Sequence, residues 1–225
     1  MPPVSELFRY SSRTYNTRLV EHGSLRVGTL HDFRKAEHKP GITDPSEGTR
    51  TISLPVKEWR QNEEIPGKPS DVRQALDMFG MFQSHNSWGN TLKGVTVMRP
   101  FDDPDCFVHC TSLLYSRTVM EQFSGAETCV RITNPGYFYA VLTHLINTEV
   151  MEVEPPILQK ITYRSRQEIF DVERSKTPAT FIKEEIFAPQ VEFRAVWYPR
   201  DKTQILKPEI LTSEDLARVC HEIPI

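Results

Sequence analysis

Three short stretches carry residues whose types and spacing suit chemistry: Arg9 within Leu7-Phe8-Arg9-Tyr10, the triplet Cys110-Thr111-Ser112, and Gln190-Val191-Glu192 followed by Arg194. A rigidly held carboxylate such as Glu192 stabilises positive charge as it develops on a reacting carbon. Arginine offers a planar fork for phosphate or ribose oxygens, and the hydroxyls of Thr111 or Ser112 can orient a carboxylate. Gln190 adds a neutral amide, which recognises a base edge or a guanidinium without burying a second charge. Each stretch also has a plainer reading. Glu192 and Arg194 can pair on an exposed strand face for about 0–1 kcal/mol, the Arg9 stem can cover apolar surface, and Tyr10, Tyr115 and Phe123 can be core aromatics.

The elements that must position these residues follow from periodicity. In residues 188–199 an extended chain puts Val191, Phe193, Ala195 and Trp197 on one face and Gln190, Glu192 and Arg194 on the other, with prolines bracketing the run. Earlier, residues 6–10 predict a first strand, Ser11 or Ser12 a cap for a helix over 13–22, and Gly23 its end. Strands are expected at 24–30, 49–56, 91–98, 107–112, 128–133 and 157–164. Helices are expected at 72–83 behind Asp71, at 113–123, 137–146 and within 178–187, with a last one from Ser213. Residues 31–48 form a long polar connection and 57–70 an exposed, charged one. Strands scattered among short helices without regular βαβ spacing point to an α+β fold with a split, mainly antiparallel sheet and peripheral helices, read as a single domain over residues 1–225.

Composition narrows the classes. Across 225 residues, 38% hydrophobic and 25% charged with a net charge of −3, there is no global nucleic-acid footprint, though a local basic groove remains compatible. No window reaches the roughly 18 apolar residues of a membrane span and the N-terminus lacks the pattern of a signal peptide, so no membrane partner and a cytoplasmic location are expected. In a reducing compartment Cys106, Cys110, Cys129 and Cys220 are expected to be free and structural rather than metal ligands. Gly-x-Gly-x-x-Gly, Walker, Gly-x-Ser-x-Gly and His-Glu-x-x-His motifs are absent.

The ordered set Arg9, Cys110-Thr111-Ser112 and Gln190-x-Glu192 resembles the Arg-Ser-Glu branch of the ADP-ribosyltransferase fold. That branch has an Arg on the first strand, Ser-Thr-Ser on a middle strand and Gln-x-Glu or Glu-x-Glu on a later one; here Cys110 stands in place of the first serine. A second resemblance spans nearly the whole chain: L-F-R-Y, G-S-L-R-V-G-T-L-H-D-F, D-P-S-E-G, V-H-C-T-S, M-E-Q-F-S-G-A-E-T-C-V-R-I and V-E-F-R-A-V look like a bacterial family described as a domain of unknown function. Its members carry an Asn-Asp-Pro-x-Glu-Gly loop and end in Tyr-Glu-x-Glu-Tyr-Arg; here Thr43 replaces the Asn and Gln190 the first Glu. Some proteins of this type are toxins of phage-defence systems, including one that ADP-ribosylates messenger RNA beside an antitoxin and a chaperone.

The resemblance implies an NAD-dependent mono-ADP-ribosyltransferase, with nucleic acid (RNA) as candidate acceptor and an antitoxin or chaperone as candidate partner. Glu192 is then the catalytic carboxylate facing an oxocarbenium-like centre, and Gln190 orients the acceptor. Arg9 holds NAD, Thr111 or Ser112 orients Glu192, and Tyr10 or Tyr115 stacks on nicotinamide. Two competitors stand beside it: a non-catalytic nucleotide-binding sensor module of a defence system, and a metal-dependent nuclease built on Asp32, Asp44 and Glu47.

Overall fold

The computed structural model describes residues 4–35, 43–81 and 89–225. In chain order the elements are β1 (Leu7–Ser11), α1 (Arg13–His22), β2 (Ser24–Thr29), β3 (Thr49–Arg60), α2 (Asp71–Met78), β4 (Thr91–Asp102), β5 (Phe107–Ser112), α3 (Arg117–Met120), β6 (Thr128–Ile132) and α4 (Pro135–Leu145). Then come β7 (Ile157–Lys160), β8 (Thr162–Tyr163), β9 (Gln167–Ile169), β10 (Ile182–Lys183), β11 (Glu192–Trp197), β12 (Glu209–Thr212), α5 (Glu214–Ala217) and β13 (Cys220–Ile223). The fold is α+β with mostly antiparallel sheets. The sequence reads as a single domain; the chain packs as two compact units, one of Met1–Glu47, Pro104–Arg164 and Lys183–Ile225, the other of Gly48–Asp103 and Ser165–Ile182.

In the first unit β5 is the branch point of the sheet. Along one edge it pairs antiparallel with the whole of β11, from Glu192↔Ser112 to Trp197↔Phe107. Its other edge is divided: β2 takes the start, through Thr29↔Phe107 and Gly28↔Val108, and β1 takes the end, through Phe8↔Ser112. β12 extends the first branch, β6 and β13 the second, and β7 lies outside β11. Helices cover one face, where Leu19 of α1, Phe138, Tyr139 and Leu142 of α4 and Leu216 of α5 pack on Leu7, Phe107, Phe193, Ala195 and Trp197. The apolar face expected for residues 191–197 therefore lies in the core, except Val191, which precedes the strand.

Local chemistry explains the helix ends. Gly23 closes α1 at φ 64°, donating to the Leu19 carbonyl at 2.9 Å, and a Cβ there would lie 1.7 Å from the Ser213 carbonyl oxygen. The Ser12 side chain makes no capping bond; the carboxylate of Glu127 accepts from the Arg13 amide instead, at 2.8 Å. Asn134 caps α4 with Pro135 in its first turn, and Ser213 caps α5.

In the second unit β3 pairs antiparallel with β4 over Thr49↔Asp102 to Arg60↔Thr91 and parallel with β9. Ile52, Leu54, Val56 and Trp59 pack on Ala75, Leu76 and Phe79. The buried Arg50 donates to the Ser175 carbonyl at 2.7 Å and lies over the Phe101 ring.

Several expectations are corrected. Ser70, not Asp71, caps α2, accepting from the Arg73 amide, and the described helix ends at Met78; residues 82 and 83 lie outside the described residues. The helix expected over 113–123 shrinks to α3. The Tyr10 hydroxyl donates to the Leu114 carbonyl at 2.7 Å and accepts from the Ser116 amide at 2.8 Å, so a tertiary partner takes the groups a helix would pair. In place of a helix within 178–187 there are 3-10 turns at Ala179–Phe181 and Glu185–Gln190, separated by extended Ile182–Lys183. The strand expected over 157–164 is interrupted at Ile161. Strands β9, β12 and β13 were not foreseen.

Candidate functional site

The face of β5 and β11 turned away from the hydrophobic core carries a buried cluster of charges. Glu192 and Arg194 alternate onto this face, and directly across from them stand Ser112 and Cys110. The Arg194 guanidinium bridges two carboxylates: Nε and Nη2 lie 2.8 and 2.7 Å from Glu192 Oε1, and Nη1 donates to Glu47 Oε1 at 2.8 Å. Lys183 completes the group, with Nζ 2.6 Å from Glu192 Oε2, 3.3 Å from Gln190 Oε1 and 3.9 Å from Glu47 Oε2. Glu192 is 4% exposed and Arg194 0%. Two carboxylates and two cations leave the cluster neutral, the condition under which buried charges are tolerated.

Backbone geometry delivers each member. Glu47 sits in a turn where the Asp44 side chain accepts from the Ser46 amide at 3.1 Å, the Glu47 amide donates to the Asp44 carbonyl at 2.9 Å and Arg34 Nε donates to the Glu47 carbonyl at 2.7 Å. Lys183 is held in extended chain by the Arg164 amide, which donates to its carbonyl at 2.9 Å. The Glu192 amide donates to the Tyr163 hydroxyl at 2.7 Å, and its carbonyl accepts from the Ile161 amide at 2.9 Å.

Electrostatics keep the carboxylate charged. Burial alone would raise the Glu192 pKa, but Arg194 and Lys183 outweigh it and hold it down at about 2. Burial opposes the charge of Lys183 too, yet Glu192 and Glu47 leave its pKa raised, and the same pair raise that of Arg194. Burial, then the Glu192 charge, push the Cys110 thiol up, which keeps it protonated.

The structure brings some of the sequence candidates together and separates others. Gln190, Glu192 and Ser112 are neighbours; the Ser112 hydroxyl lies 3.2 and 3.4 Å from the Leu114 and Val191 carbonyls. Tyr10 alternates onto the same sheet face as Phe8 and Ser112 and stacks on Phe123, while the Tyr115 ring, on a residue 42% exposed, packs against Phe8. Arg9 and Thr111 do not join them. Arg9 lies on the helix-covered face, bonded to Asn16 of α1, and burial lowers its pKa to about 10. Thr111 lies on that face as well, donating to the Phe193 carbonyl at 3.1 Å near the Tyr139 hydroxyl.

The expected convergence is thus corrected: of Arg9, Thr111 or Ser112, and Glu192, only Ser112 stands beside Glu192; Arg9 does not, because β1 meets β5 at Phe8↔Ser112 and strand alternation sends Arg9 to the opposite face. The exposed surface pair is corrected as well: Glu192 and Arg194 do pair, but inside the protein. Sequence reasoning missed Lys183, placed in an expected helix, and Tyr163. Glu47 was visible in the Asp-Pro-Ser-Glu-Gly turn but without its partner.

Asp32 pairs with Arg26 and Lys35, and among the described residues no group of three or more His, Cys, Asp or Glu side chains gathers as a metal site. Cys106, Cys110, Cys129 and Cys220 form no disulfide. A cavity of about 450 Å³ lined by Thr143, Asn147, Glu152, Val153, Pro155, Pro156 and Arg200 contains none of the cluster residues. No helix among the described residues is long and apolar enough to cross a membrane. Compared with protein-family models, curated proteins and solved structures, the chain matches none.

Proposed function

We propose that this chain is an NAD-dependent mono-ADP-ribosyltransferase, with Glu192 as its catalytic carboxylate and nucleic acid (RNA) as its acceptor class. The observation that carries the reading is the placement of Glu192: its pKa held down at about 2, at the start of β11 beside the end of β5, on the sheet face away from the core, with Gln190 meeting the same lysine. Breaking the glycosidic bond between nicotinamide and ribose leaves positive charge on the sugar carbon, and a fixed carboxylate stabilises that charge as it develops.

The cofactor contact assigned to Arg9 in the sequence passes to the cations on the Glu192 face, Lys183 and Arg194, whose charges suit a pyrophosphate. Tyr115, exposed on that face, offers a ring for stacking, Gln190 meets the acceptor, and Ser112 and Cys110 line the strand opposite. The family resemblance extends this to the toxin of a phage-defence system, acting beside an antitoxin and a chaperone; the site itself speaks only to the carboxylate chemistry.

The test is incubation with labelled NAD and bulk RNA, DNA or protein. Wild type is expected to release nicotinamide and label RNA, and Glu192→Ala to lose about a hundredfold or more of that rate. Wild type that neither releases nicotinamide nor transfers label overturns the proposal. One observation favours a second reading, a nucleotide-binding sensor without turnover: both oxygens of Glu192 are already engaged, by Arg194 and Lys183. Calorimetry showing NAD binding without nicotinamide release would select it.

A further inference from the structure

Immediately before Glu192, the backbone does something unusual. Val191 lies at φ 46° and ψ 48° and is the one non-glycine residue among those described with positive φ. A branched Cβ crowds the neighbouring carbonyl in this left-handed region, so a valine persists there only where surrounding contacts impose it. Those contacts are visible. The Val191 amide donates to the Ala188 carbonyl at 3.1 Å, and its own carbonyl accepts from the Leu113 amide at 2.9 Å. On either side, Gln190 and Glu192 both reach Lys183.

The chain leading into this point, residues 183–190, meets the carboxylate through Lys183, on which Phe187 and Gln190 also converge. Its inner side is Lys183, buried in the cluster with its ammonium 5.3 Å from the Phe187 ring centre, and Gln190, also buried. Its outer side faces water: Glu185, Ala188 and Pro189 are exposed and Ile186 is 77% exposed. Between Lys183 and Val191 the backbone is short 3-10 turns rather than α-helix or paired strand. The segment is thus held down at one end by the Lys183–Glu192 ion pair and joined at the other to a strained residue.

We infer that residues 183–190 are a strap closed over Glu192, latched by Lys183 and hinged at Val191, whose strained backbone biases the strap toward opening. Opening withdraws the ammonium from Glu192 Oε2 and uncovers the carboxylate. The inference rests on the transferase reading only for what the uncovered carboxylate then does; the strap itself is testable without any activity. An anionic, phosphate-bearing ligand would favour the open form by taking over Lys183 from Glu192.

The experiment is amide hydrogen exchange across Phe187, Val191 and Glu192, with protection corrected for intrinsic rates and global stability measured in urea. Val191→Asn tolerates the left-handed conformation and should raise protection about tenfold, the ratio expected on relieving one strained residue. Val191→Ile keeps the branched Cβ and should leave protection as in wild type, while Lys183→Met, which removes the latch, should lower it at least as much. If Lys183→Met does not fold, the two Val191 variants decide the matter alone. Protection in Val191→Asn no higher than in wild type, or matched by Val191→Ile, overturns the strap. Nicotinamide release from NAD is measured on the same proteins: none from any of them, with protection shifted as stated, removes the transferase reading and leaves the strap, whereas release with protection unshifted removes the strap alone.

Discussion

At the scale of single residues, two buried groups both lose stability in acid, Glu192 because it is held charged and His109 because it is held neutral. Glu192 is held near pKa 2 against an ordinary 4.5, so its contribution to stability is complete above about pH 4.5 and is lost as pH falls toward 2. His109, on the core face of β5 against Phe138 and Tyr139, has neither ring nitrogen hydrogen-bonded among the described residues. Burial first, and the nearby Arg9 charge second, lower its pKa from 6.5 to about 3. The unfolded chain therefore takes up that proton first, and stability falls as pH drops from 6.5 toward 3. Between pH 6.5 and 4.5 His109 acts without Glu192, with a slope of up to about 1.4 kcal/mol per pH unit. Urea titrations across this range should show His109→Phe flattening that slope while leaving the Glu192 share of the loss below pH 4.5 in place. In the cluster, Glu192→Gln leaves two cations facing one carboxylate and should cost about 3–5 kcal/mol. Combined with Lys183→Met the loss should be less than the sum, by about 1–3 kcal/mol, if the two charges support each other as their 2.6 Å contact indicates; strict additivity in the double-mutant cycle would contradict it.

Among the elements, those with their own capping and periodic signals were legible from sequence, and those shaped by distant partners were not. The C-terminal limit of α1 follows from Gly23, and β5 from its apolar, β-branched run. Gly23→Ala should cost about 2 kcal/mol or more, because the new methyl meets both a positive φ and the Ser213 carbonyl. Thermal denaturation of that variant checks it, and an unchanged Tm would mean that the α1–α5 approach relaxes freely. By contrast, the region after β5 has helical spacing, yet the Tyr10 hydroxyl, more than a hundred residues away in sequence, claims its backbone groups. Residues 178–187 have helix-forming composition as well, but Lys183 is drawn into the cluster and its carbonyl accepts from the Arg164 amide. Local propensity is a small term per residue and yields to such contacts.

For the molecule as a whole, the two units differ in what they bury. The first has helices α1, α4 and α5 over a branched sheet; the second rests on one small cluster around Ile52, Leu54, Trp59 and Phe79, with β4 largely exposed. Amides of β3 should therefore exchange through openings of lower free energy than those of β5 and β6. Native-state exchange in low denaturant measures this, and equal protection at every concentration would contradict it. The sequence by itself determined the α+β class, the two faces of β11, the C-terminal limit of α1 at Gly23 and the presence of a carboxylate and an arginine two residues apart, because periodicity and a glycine stop are read within a few neighbours. Only the tertiary structure decided that Glu192 and Arg194 are buried, that Glu47 and Lys183 complete their charge balance, and that Arg9 stands on the other side of the sheet. The physical reason is register. Which residue of β1 faces Ser112 is set by pairing between strands about a hundred residues apart, and a shift of one position would have exchanged Phe8 for Arg9 beside Glu192.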